Sequence, residues 1–446
     1  MDLYGKTVLV CGMGRSGAGA AGLLRRNSAI VTLQDINESP NFGENFDPAG
    51  YNTYFGKNPD DILENFDMLV VSPGVPTGLP FFAKAQKLGI PLIGEMELAA
   101  AYCKAPILAI TGTNGKTTTT SLLGAIIAAK NPQSPTVGNI GVAFSNLADS
   151  IPADALVAAE VSSFQLETIR DFRPLVSAVL NISRDHLDRH GTYENYIAMK
   201  ERIFQNQQAG DFTVLNFDNP ITRAMAAKTR TRVCRFSMQP LDEGVYLEDE
   251  FIAINWDGRR EIIIKADELP IPGRHNIENA MAAAAMALCA GISTELIAAG
   301  LRDFGQVEHR IEFVREMGGV RFYNDSKATN VDSAIKGILA MDGQIILIAG
   351  GVGKDQDFAD LAANMHGRVR HAILIGEAAD EIAQVCATSG FADISFADNL
   401  PAAIADAAKM AKSGDCVLLS PACASFDMFD NFEQRGRAFK EIVMKL

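Results

Sequence analysis

A glycine-rich turn with one lysine is the segment of this sequence best suited to phosphate chemistry. Residues Thr111–Thr118 read T-G-T-N-G-K-T-T and lie between the apolar run Pro106–Ile110 and a helix-like stretch. A strand, a glycine turn and a helix N-terminus direct backbone N–H groups and the helix dipole at an anion, and the lysine adds a positive charge. We assign Lys116 to the phosphates and Thr117 to the hydroxyl beside a magnesium ion. Because Ile110 replaces the first glycine of the usual pattern, this is a shortened variant, and its context predicts ATP binding.

Acidic and histidine side chains after two further strands are candidates for a metal site. Glu160 ends the apolar strand Ala155–Glu160, where a nucleotide-binding enzyme of this type places its magnesium carboxylate, although it could instead cap the following turn. Strand Val176–Ile182 is followed by N-I-S-R-D-H-L-D-R-H, which offers Asp185 and His186 as ligands of a second metal or as groups that orient it.

Two residues invite a chemical role but have simpler interpretations. Lys200 lies in the helical segment Y-I-A-M-K-E-R-I-F, and from the sequence alone we interpret it as a surface charge. Cys423 lies in S-P-A-C-A-S-F-D without a histidine nearby in sequence, so a packed thiol is favoured over a nucleophile. In the same segment, Ser425 is interpreted as a hydrogen-bond donor to a carboxylate.

A second phosphate-binding pattern opens the chain. A strand at Thr7–Cys11 leads into Gly12-x-Gly14-x-x-Gly17, and Asp35 ends the next strand, as in the dinucleotide fingerprint. A dehydrogenase is disfavoured because this unit ends near residue 94 and because hydride transfer does not need the second phosphate turn. The glycines could serve only tight packing. We favour binding of a diphosphate-bearing substrate such as a UDP-sugar.

Polar segments also follow strands in the last third of the chain. The segment Asn324–Asn330 reads N-D-S-K-A-T-N, and Gly350–Lys354 repeats the strand-to-glycine turn. Both are suited to an anionic substrate.

The repeated order of β-branched run, glycine turn and helical pattern predicts an α/β fold with parallel sheets. We predict three domains: a Rossmann-like domain over 1–94, a central P-loop ATPase-like domain with a parallel sheet and a small β element over 95–303, and a C-terminal Rossmann-like domain over 304–446. In the small element, Arg232–Ser237 and Val245–Ile264 should form short antiparallel strands, with Asp257-Gly258 as a hairpin turn.

The composition excludes several partners. A net charge of −14 over 446 residues argues against nucleic acid, which requires clustered positive charge. Seven scattered cysteines without a C-x-x-C pair predict reduced thiols. Because the first strand follows the N-terminus directly, we expect no signal peptide. No apolar stretch reaches membrane-spanning length, so we expect no membrane insertion. We expect a cytoplasmic monomer.

Several segments, in order along the chain, resemble the motifs of the Mur ligase family. These are T-G-T-N-G-K-T-T, G-N-I-G at Gly138–Gly141, E-V-S-S-F-Q-L-E at Glu160–Glu167, N-I-S-R-D-H-L-D-R-H, and G-R-H-N-I-E-N-A at Gly273–Ala280. The segments N-D-S-K-A-T-N, S-P-A-C-A-S-F-D, N-F-E-Q-R-G-R-A-F, G-M-G-R-S-G and S-P-G-V-P are similar to those of the D-glutamate-adding members. The resemblance implies an ATP-dependent amide ligase that joins D-glutamate to UDP-N-acetylmuramoyl-L-alanine through an acyl phosphate and a tetrahedral intermediate. His186 and a substrate phosphate are both candidates to take the proton of the attacking amine.

The resemblance also implies roles for the matching positions. The UDP end of the substrate would be bound by Arg15, Ser16, Gly17, Asp35, Gly74 and Asn139. ATP would be bound by Gly112, Thr113, Asn114, Gly115, Lys116, Thr117, Thr118, Asn276, Asn279, Arg310 and Asp325. Magnesium would be held by Thr117, Glu160, His186 and Lys200, the last as a carbamate, which reverses the surface interpretation. Lys116, His186 and Lys200 would be the catalytic residues, and D-glutamate would be surrounded by Lys327, Thr329, Lys354, Ser425 and Phe432.

Other functions remain open at this point. Another amino-acid-adding Mur ligase or a folylpolyglutamate synthetase would share most of these motifs. The diaminopimelate- or lysine-adding member should carry a D-N-P-R-type motif, whereas the D-N-P at Asp218–Pro220 is followed by Ile221. A nucleotide-sensing protein that has lost catalysis is disfavoured by four intact residues: Lys116, Glu160, His186 and Lys200. Binding sites between three domains imply hinge closure, and hence open and closed forms.

Overall fold

The computed structural model describes residues 1–42, 46–305, 308–353 and 356–446, and it divides the chain into two compact units. The first unit comprises Met1–Glu268 with Glu278–Asp303, and the second comprises Leu269–Ile277 with Phe304–Leu446. Two sheets lie in the first unit and one lies in the second. All three contain mainly parallel strands with helices between them, so the predicted α/β class is confirmed.

The N-terminal sheet has five parallel strands in the order β3-β2-β1-β4-β5. The strands are β1 (Thr7–Cys11), β2 (Ile30–Asp35), β3 (Asn52–Phe55), β4 (Met68–Val71) and β5 (Leu92–Gly94). The helices are α1 (Arg15–Arg26), α2 (Pro80–Lys87) and α3 (Glu95–Tyr102). The strand order reverses at β1: β2 and β3 lie on one side of it, and β4 and β5 lie on the other. In open parallel sheets, ligands bind at the carboxyl ends of the strands near such a reversal.

The central sheet has nine strands in the order β14-β13-β12-β11-β10-β9-β6-β8-β7. They are β6 (Ile107–Thr111), β7 (Thr136–Gly138), β8 (Val157–Glu160), β9 (Val176–Val179), β10 (Phe212–Asn216), β11 (Arg232–Ser237), β12 (Gly244–Glu248), β13 (Phe251–Trp256) and β14 (Arg259–Lys265). The helices are α4 (Lys116–Lys130), α5 (Ser163–Leu166), α6 (Leu187–His190), α7 (Tyr193–Glu201), α8 (Pro220–Met225), α9 (Arg274–Cys289) and α10 (Thr294–Arg302).

The predicted antiparallel element is correct in part. Strands β12, β13 and β14 pair antiparallel, and the turn at Asp257-Gly258 has positive φ at both residues, as its sequence predicted. The prediction for Arg232–Ser237 is wrong, because β11 pairs parallel to both β10 and β12 and thus extends the parallel sheet. Alternating polar and apolar residues show only that a strand is half-buried and carry no information on its direction.

The two sheets of the first unit share one hydrophobic core. Val10 and Leu33 of the N-terminal sheet belong to the same buried cluster as Val137, Phe144 and Val157. Burial of apolar surface is the main favourable contribution to folding, so this shared cluster holds the two sheets in a fixed arrangement.

The second unit contains a six-stranded sheet in the order β15-β16-β20-β17-β18-β19, parallel except for the β15–β16 pair. The strands are β15 (Glu312–Met317), β16 (Val320–Asn324), β17 (Ile345–Gly350), β18 (Val369–Ile375), β19 (Ile394–Phe396) and β20 (Cys416–Leu419). The helices are α11 (Val331–Ala340), α12 (Ala359–Met365), α13 (Ala379–Ser389), α14 (Leu400–Met410) and α15 (Phe432–Lys445). Separate apolar clusters cover its two faces. Within the described parts of the chain, every helix is too short or too polar to cross a bilayer.

Candidate active site

The turn between β6 and α4 presents a helix N-terminus at the carboxyl end of the central sheet. Gly112 has φ +150° and Gly115 has φ +84°, conformations that residues with a side chain rarely adopt. A Cβ atom at Gly115 would lie 2.3 Å from Oδ1 of Asn279, so space as well as conformation requires glycine there. Helix α4 begins at Lys116, and the first N–H groups of a helix lack acceptors within it. The turn therefore has the geometry of a phosphate site.

The side chains of the turn and of the next loop hold it in this shape. The ammonium group of Lys116 donates to the carbonyl oxygens of Gly112 and Thr113, at 2.9 and 2.8 Å. Asn181, just beyond β9, accepts from the backbone N–H of Asn114 at 2.9 Å and donates to its carbonyl at 3.0 Å. No role for Asn181 was predicted from the sequence, although its place after a strand in the N-I-S-R-D-H motif could have indicated one.

The predicted ligands Thr117 and Glu160 are in direct contact. The Thr117 hydroxyl donates to Oε2 of Glu160 at 2.7 Å, and the Asn139 amide donates to Oε1 at 3.0 Å. Glu160 is buried, with 1% of its surface exposed. Asn139, which we expected to contact the UDP-substrate, thus holds the Glu160 carboxylate in place. Asn279 lies beside the N-terminal end of α4, where its Oδ1 accepts from the Thr119 hydroxyl at 3.3 Å.

His186 lies on a strained turn at the start of α6. Its φ is +51°, in the left-handed region that is uncommon for a residue with a side chain and that is found mainly at functional sites. Oδ1 of Asp185 accepts from the His186 backbone N–H at 3.0 Å, and the His186 ring packs edge-on against Phe164, with centroids 4.9 Å apart. The imidazole is 35% exposed and can be reached by a ligand.

Lys200 is buried, with 2% of its surface exposed, so the interpretation from sequence alone as a surface charge is wrong. Its ammonium donates to the carbonyl of Gly112 at 2.8 Å and lies 4.7 Å from the centre of the Tyr196 ring. Burial, and then the positive charge of Lys116, lower the pKa of Lys200 well below its usual value. The structure thus places a lysine with a readily deprotonated amine beneath the phosphate turn.

The donor set around this turn fits a magnesium ion. Mg²⁺ prefers oxygen ligands and usually binds through one or two carboxylates plus phosphate oxygens. Glu160 and Thr117 supply such oxygens, and His186 and Lys200 lie on the loop and helix that follow. Within residues 1–42, 46–305, 308–353 and 356–446, no three His, Cys, Asp or Glu side chains form a metal-binding group.

The N-terminal glycine turn is tightly packed. A Cβ at Gly17 would lie 1.9 Å from the carbonyl oxygen of Gly12, so the packing of the turn requires glycine at this position. Asp35 accepts from the backbone N–H groups of Met13 and Asn37, at 2.7 and 2.9 Å, and thereby braces the turn. The other predicted substrate residues of this domain, Arg15, Ser16 and Gly74, are exposed or half-buried.

The second unit places a buried carboxyl group at the end of β16. Asp325 is 2% exposed, and its two oxygens accept from the hydroxyl of Ser420 at 2.8 Å and from the backbone N–H of Ile311 at 3.2 Å. Burial raises the pKa of Asp325 to about 7, against the lowering effect of Arg310. Nε of Arg310 is a buried polar atom with no hydrogen-bond partner in the described parts of the chain.

The predicted D-glutamate residues come together only in part. The ammonium of Lys327 lies 5.0 Å from the centre of the Phe432 ring. Thr329 donates its backbone N–H to the Lys327 carbonyl at 2.9 Å, while Ser425 is buried in the loop after β20. Lys354 lies outside the described residues. Asn276 is buried at the start of α9 in the second unit, and its amide donates to the Pro272 carbonyl at 2.6 Å.

Arg435 joins the two loops of the second unit that carry these residues. The guanidinium is fully buried and donates to the carbonyl oxygens of Ser326 and Cys423, at 2.9 and 3.0 Å. Burial lowers the pKa of Arg435 to about 10. No role for Arg435 was predicted from its motif, because an arginine in a helix is ordinarily exposed.

Family models match three consecutive segments of the chain. They are described as Mur ligase MurD-like, N-terminal domain (residues 6–94), Mur ligase middle domain (110–287) and Mur ligase, glutamate ligase domain (309–423). Among solved structures, UDP-N-acetylmuramate-alanine ligase MurC from Thermotoga maritima is similar with a TM-score of 0.65 and 18% identity over 99% of both chains. A pseudomurein peptide ligase type C from Methanothermus fervidus is similar with a TM-score of 0.63 and 20% identity over 99% of both chains. These structures support the fold.

Sequence relatives are much more similar. UDP-N-acetylmuramoylalanine--D-glutamate ligase from Thermoanaerobacter sp. (strain X514) is 46% identical over 452 residues, which cover 100% of both chains. The protein of the same name from Pelotomaculum thermopropionicum is 45% identical over 100% of this chain and 99% of its own length. Identity at this level over the full length is decisive for the family, and the chain is therefore a member of the Mur ligases.

Proposed function

We propose that this protein is an ATP-dependent ligase that adds D-glutamate to UDP-N-acetylmuramoyl-L-alanine during synthesis of the peptidoglycan precursor. The observation that carries the proposal is the full-length similarity, at 46% identity, to a ligase of that name, together with a phosphate turn whose lysine, threonine and glutamate are all in place. ADP and phosphate are the other products.

The first role proposed for the phosphate turn is in activating the L-alanyl carboxylate of the UDP-substrate. A carboxylate is a poor acyl donor, so the γ-phosphoryl group of ATP is first transferred to the L-alanyl carboxylate to give an acyl phosphate. In-line transfer of this kind depends on positioning and on charge neutralisation. Residues 112–118 would hold the phosphates through backbone N–H groups, and Lys116 would exchange its contacts with Gly112 and Thr113 for phosphate oxygens.

Thr117, Glu160, His186 and Lys200 are the residues that would hold Mg²⁺. When bound, the ion would neutralise charge on the phosphates and orient them. The contact between Thr117 and Glu160, at 2.7 Å, and the support of Glu160 by Asn139 keep two oxygen donors together. The low pKa of Lys200 favours a neutral amine, and only a neutral amine reacts with carbon dioxide to form a carbamate.

The second half-reaction forms the amide. The amine of D-glutamate attacks the acyl phosphate, and the tetrahedral intermediate expels phosphate. Lys327, Thr329, Lys354, Ser425 and Phe432 are proposed to surround D-glutamate, and Arg310 and Asp325 with Asn276 to contact the nucleotide. A ring beside an ammonium, as in the Lys327–Phe432 pair, leaves that ammonium able to bind a carboxylate.

The reaction is proposed to be cytoplasmic and the enzyme monomeric. All seven cysteines lie within the described residues and are reduced, outside any disulfide, as expected in a reducing compartment, and both ATP and UDP-linked sugars are intracellular metabolites. Sedimentation of the purified protein would test the monomer.

Phosphate release with UDP-N-acetylmuramoyl-L-alanine and ATP tests the proposal. D-glutamate, L-glutamate, lysine, diaminopimelate and no amino acid should be compared, with Lys116→Ala as the inactive control. We expect release with D-glutamate only, and a product heavier by one glutamyl residue. Phosphate release with a different amino acid would show that D-glutamate is not the amino acid that is added. No release with any of the amino acids would contradict the ligase function.

A further inference from the structure

Glu167 and Arg189 form a largely buried ion pair in the segments that follow β8 and β9 of the central sheet. Nε and one terminal nitrogen of Arg189 donate to the two oxygens of the Glu167 carboxylate, at 3.0 and 2.7 Å. The Arg189 side chain is 15% exposed and that of Glu167 is 9% exposed. Such a two-pronged pair fixes orientation as well as distance.

The same two side chains bond to the N-terminal domain. The Thr77 hydroxyl donates to Oε2 of Glu167 at 3.0 Å, and Arg189 donates to the carbonyl oxygen of Val75 at 3.1 Å. Val75 and Thr77 belong to the turn at residues 72–77 that follows β4 and that contains Gly74, where we expect the UDP-substrate to bind. The ion pair therefore bridges this turn and the central domain.

On its other side the pair joins the two segments that carry the proposed metal ligands. Arg189 lies three residues after His186 in α6, and its guanidinium lies 5.0 Å from the centre of the Phe164 ring. Glu167 directly follows α5, the short helix after Glu160, and its carbonyl oxygen accepts from Arg202 at 2.8 Å.

The neighbouring groups do not form a hydrolytic triad, although the residue types are right. His190 Nε2 lies 3.0 Å from the Ser163 hydroxyl, but Nδ1 is 3.9 Å from Glu167, which is beyond hydrogen-bond distance. Ser163 is 3% exposed and cannot meet a substrate. The cluster supports a structure rather than a reaction.

We propose that Glu167 and Arg189 are positioning residues that fix the distance between the turn at 72–77 and the His186 loop. The inference rests on the proposed function. A substrate held by its nucleotide in the N-terminal domain must present its carboxylate at residues 112–118 of the central domain. A displacement of about 1 Å in such an arrangement reduces turnover by roughly 100-fold.

Steady-state kinetics of Arg189→Gln, Arg189→Lys and Glu167→Gln test the proposal. We expect Arg189→Gln to lower kcat by about 30- to 100-fold, with the KM for ATP and the Kd for the UDP-substrate changed by less than about threefold. Arg189→Lys should lower kcat less than Arg189→Gln does, because lysine keeps the positive charge but cannot donate two parallel hydrogen bonds to the carboxylate. The double variant should be no slower than the slower single variant, because both remove the same link.

Arg173→Gln is the matched control. Arg173 forms an equally two-pronged pair with Asp211, at 2.7 and 3.0 Å, within the central domain. The kcat of Arg173→Gln should stay close to that of the wild type. A kcat of Arg189→Gln within threefold of the wild type, or an equal loss in Arg173→Gln, would overturn the positioning role.

The proposed function and this inference fail separately. A wild-type protein that releases no phosphate would refute the ligase alone. Hydrogen exchange of residues 72–77 would then decide the inference, because their amides should exchange faster in Arg189→Gln than in Arg173→Gln. Equal exchange in the two variants would contradict it.

Discussion

Replacing Asp325 by asparagine should stabilise the second unit at high pH. The carboxyl group is fully buried, and its pKa is raised to about 7 from an ordinary value of 3.8 because burial disfavours the charged form. A carboxyl whose pKa is higher in the folded than in the unfolded state keeps its proton longer in the folded state. Its ionisation therefore destabilises the fold as pH rises from 3.8 towards and above 7.

The size of the effect follows from the two pKa values. At about 1.4 kcal/mol per pKa unit, the ionised Asp325 destabilises the unit by about 4 kcal/mol above pH 7, and by almost nothing below pH 4. The asparagine removes this penalty but weakens the hydrogen bonds with Ser420 and Ile311, and that weakening costs about 1–2 kcal/mol of stability. We expect a net gain of about 2–3 kcal/mol at pH 8 and no gain at pH 5.

Hydrogen exchange measured by mass spectrometry can isolate the second unit, which the single tryptophan, Trp256 of the first unit, cannot report on. Peptides from β16 and β20 should be followed at pH 5 and pH 8 over a urea series, with intrinsic rates corrected for pH. Asp415→Asn is the matched control, because Asp415 is equally buried but pairs with Arg370, so its loss should destabilise the unit at both pH values. Equal destabilisation by Asp325→Asn at the two pH values would refute the reasoning.

Two further predictions concern the residues around Glu160 and Lys200, where we propose that magnesium binds. Gly138→Ala should lower the free energy of unfolding by about 2–4 kcal/mol and reduce phosphate release, because its Cβ would lie 2.3 Å from the carbonyl oxygen of Glu160 at a φ of +101°. Gly210→Ala is the control, because no atom lies within 4 Å of its Cβ, and it should change stability and phosphate release only a little. Equal melting temperatures for the two variants would contradict the prediction. Lys200→Arg should abolish a carbamate signal in the ¹³C NMR spectrum of enzyme equilibrated with ¹³C-bicarbonate and lower kcat at least about 100-fold. The absence of that signal from the wild-type enzyme at neutral pH would refute carbamylation of Lys200.

Local signals in the sequence were sufficient to predict the fold class and the backbone geometry of the turn at Thr111–Thr118. The residues of T-G-T-N-G-K-T-T are consecutive, so the strand, the positive-φ glycines and the helix N-terminus could be read from neighbouring positions. The hairpin at Asp257-Gly258 was predictable for the same reason. Strand direction at Arg232–Ser237 was not, because the pairing partner of a strand is set by the rest of the sheet.

The tertiary structure alone decided which polar residues are buried and which distant groups meet. Lys200 reaches Gly112 across 88 residues of sequence, and Arg189 reaches Val75 across 114. The buried carboxyl of Asp325 owes its raised pKa to the desolvation that chain packing imposes. Burial and long-range contact depend on how whole sheets and helices pack, and neither the identity nor the immediate neighbours of a residue carry that information.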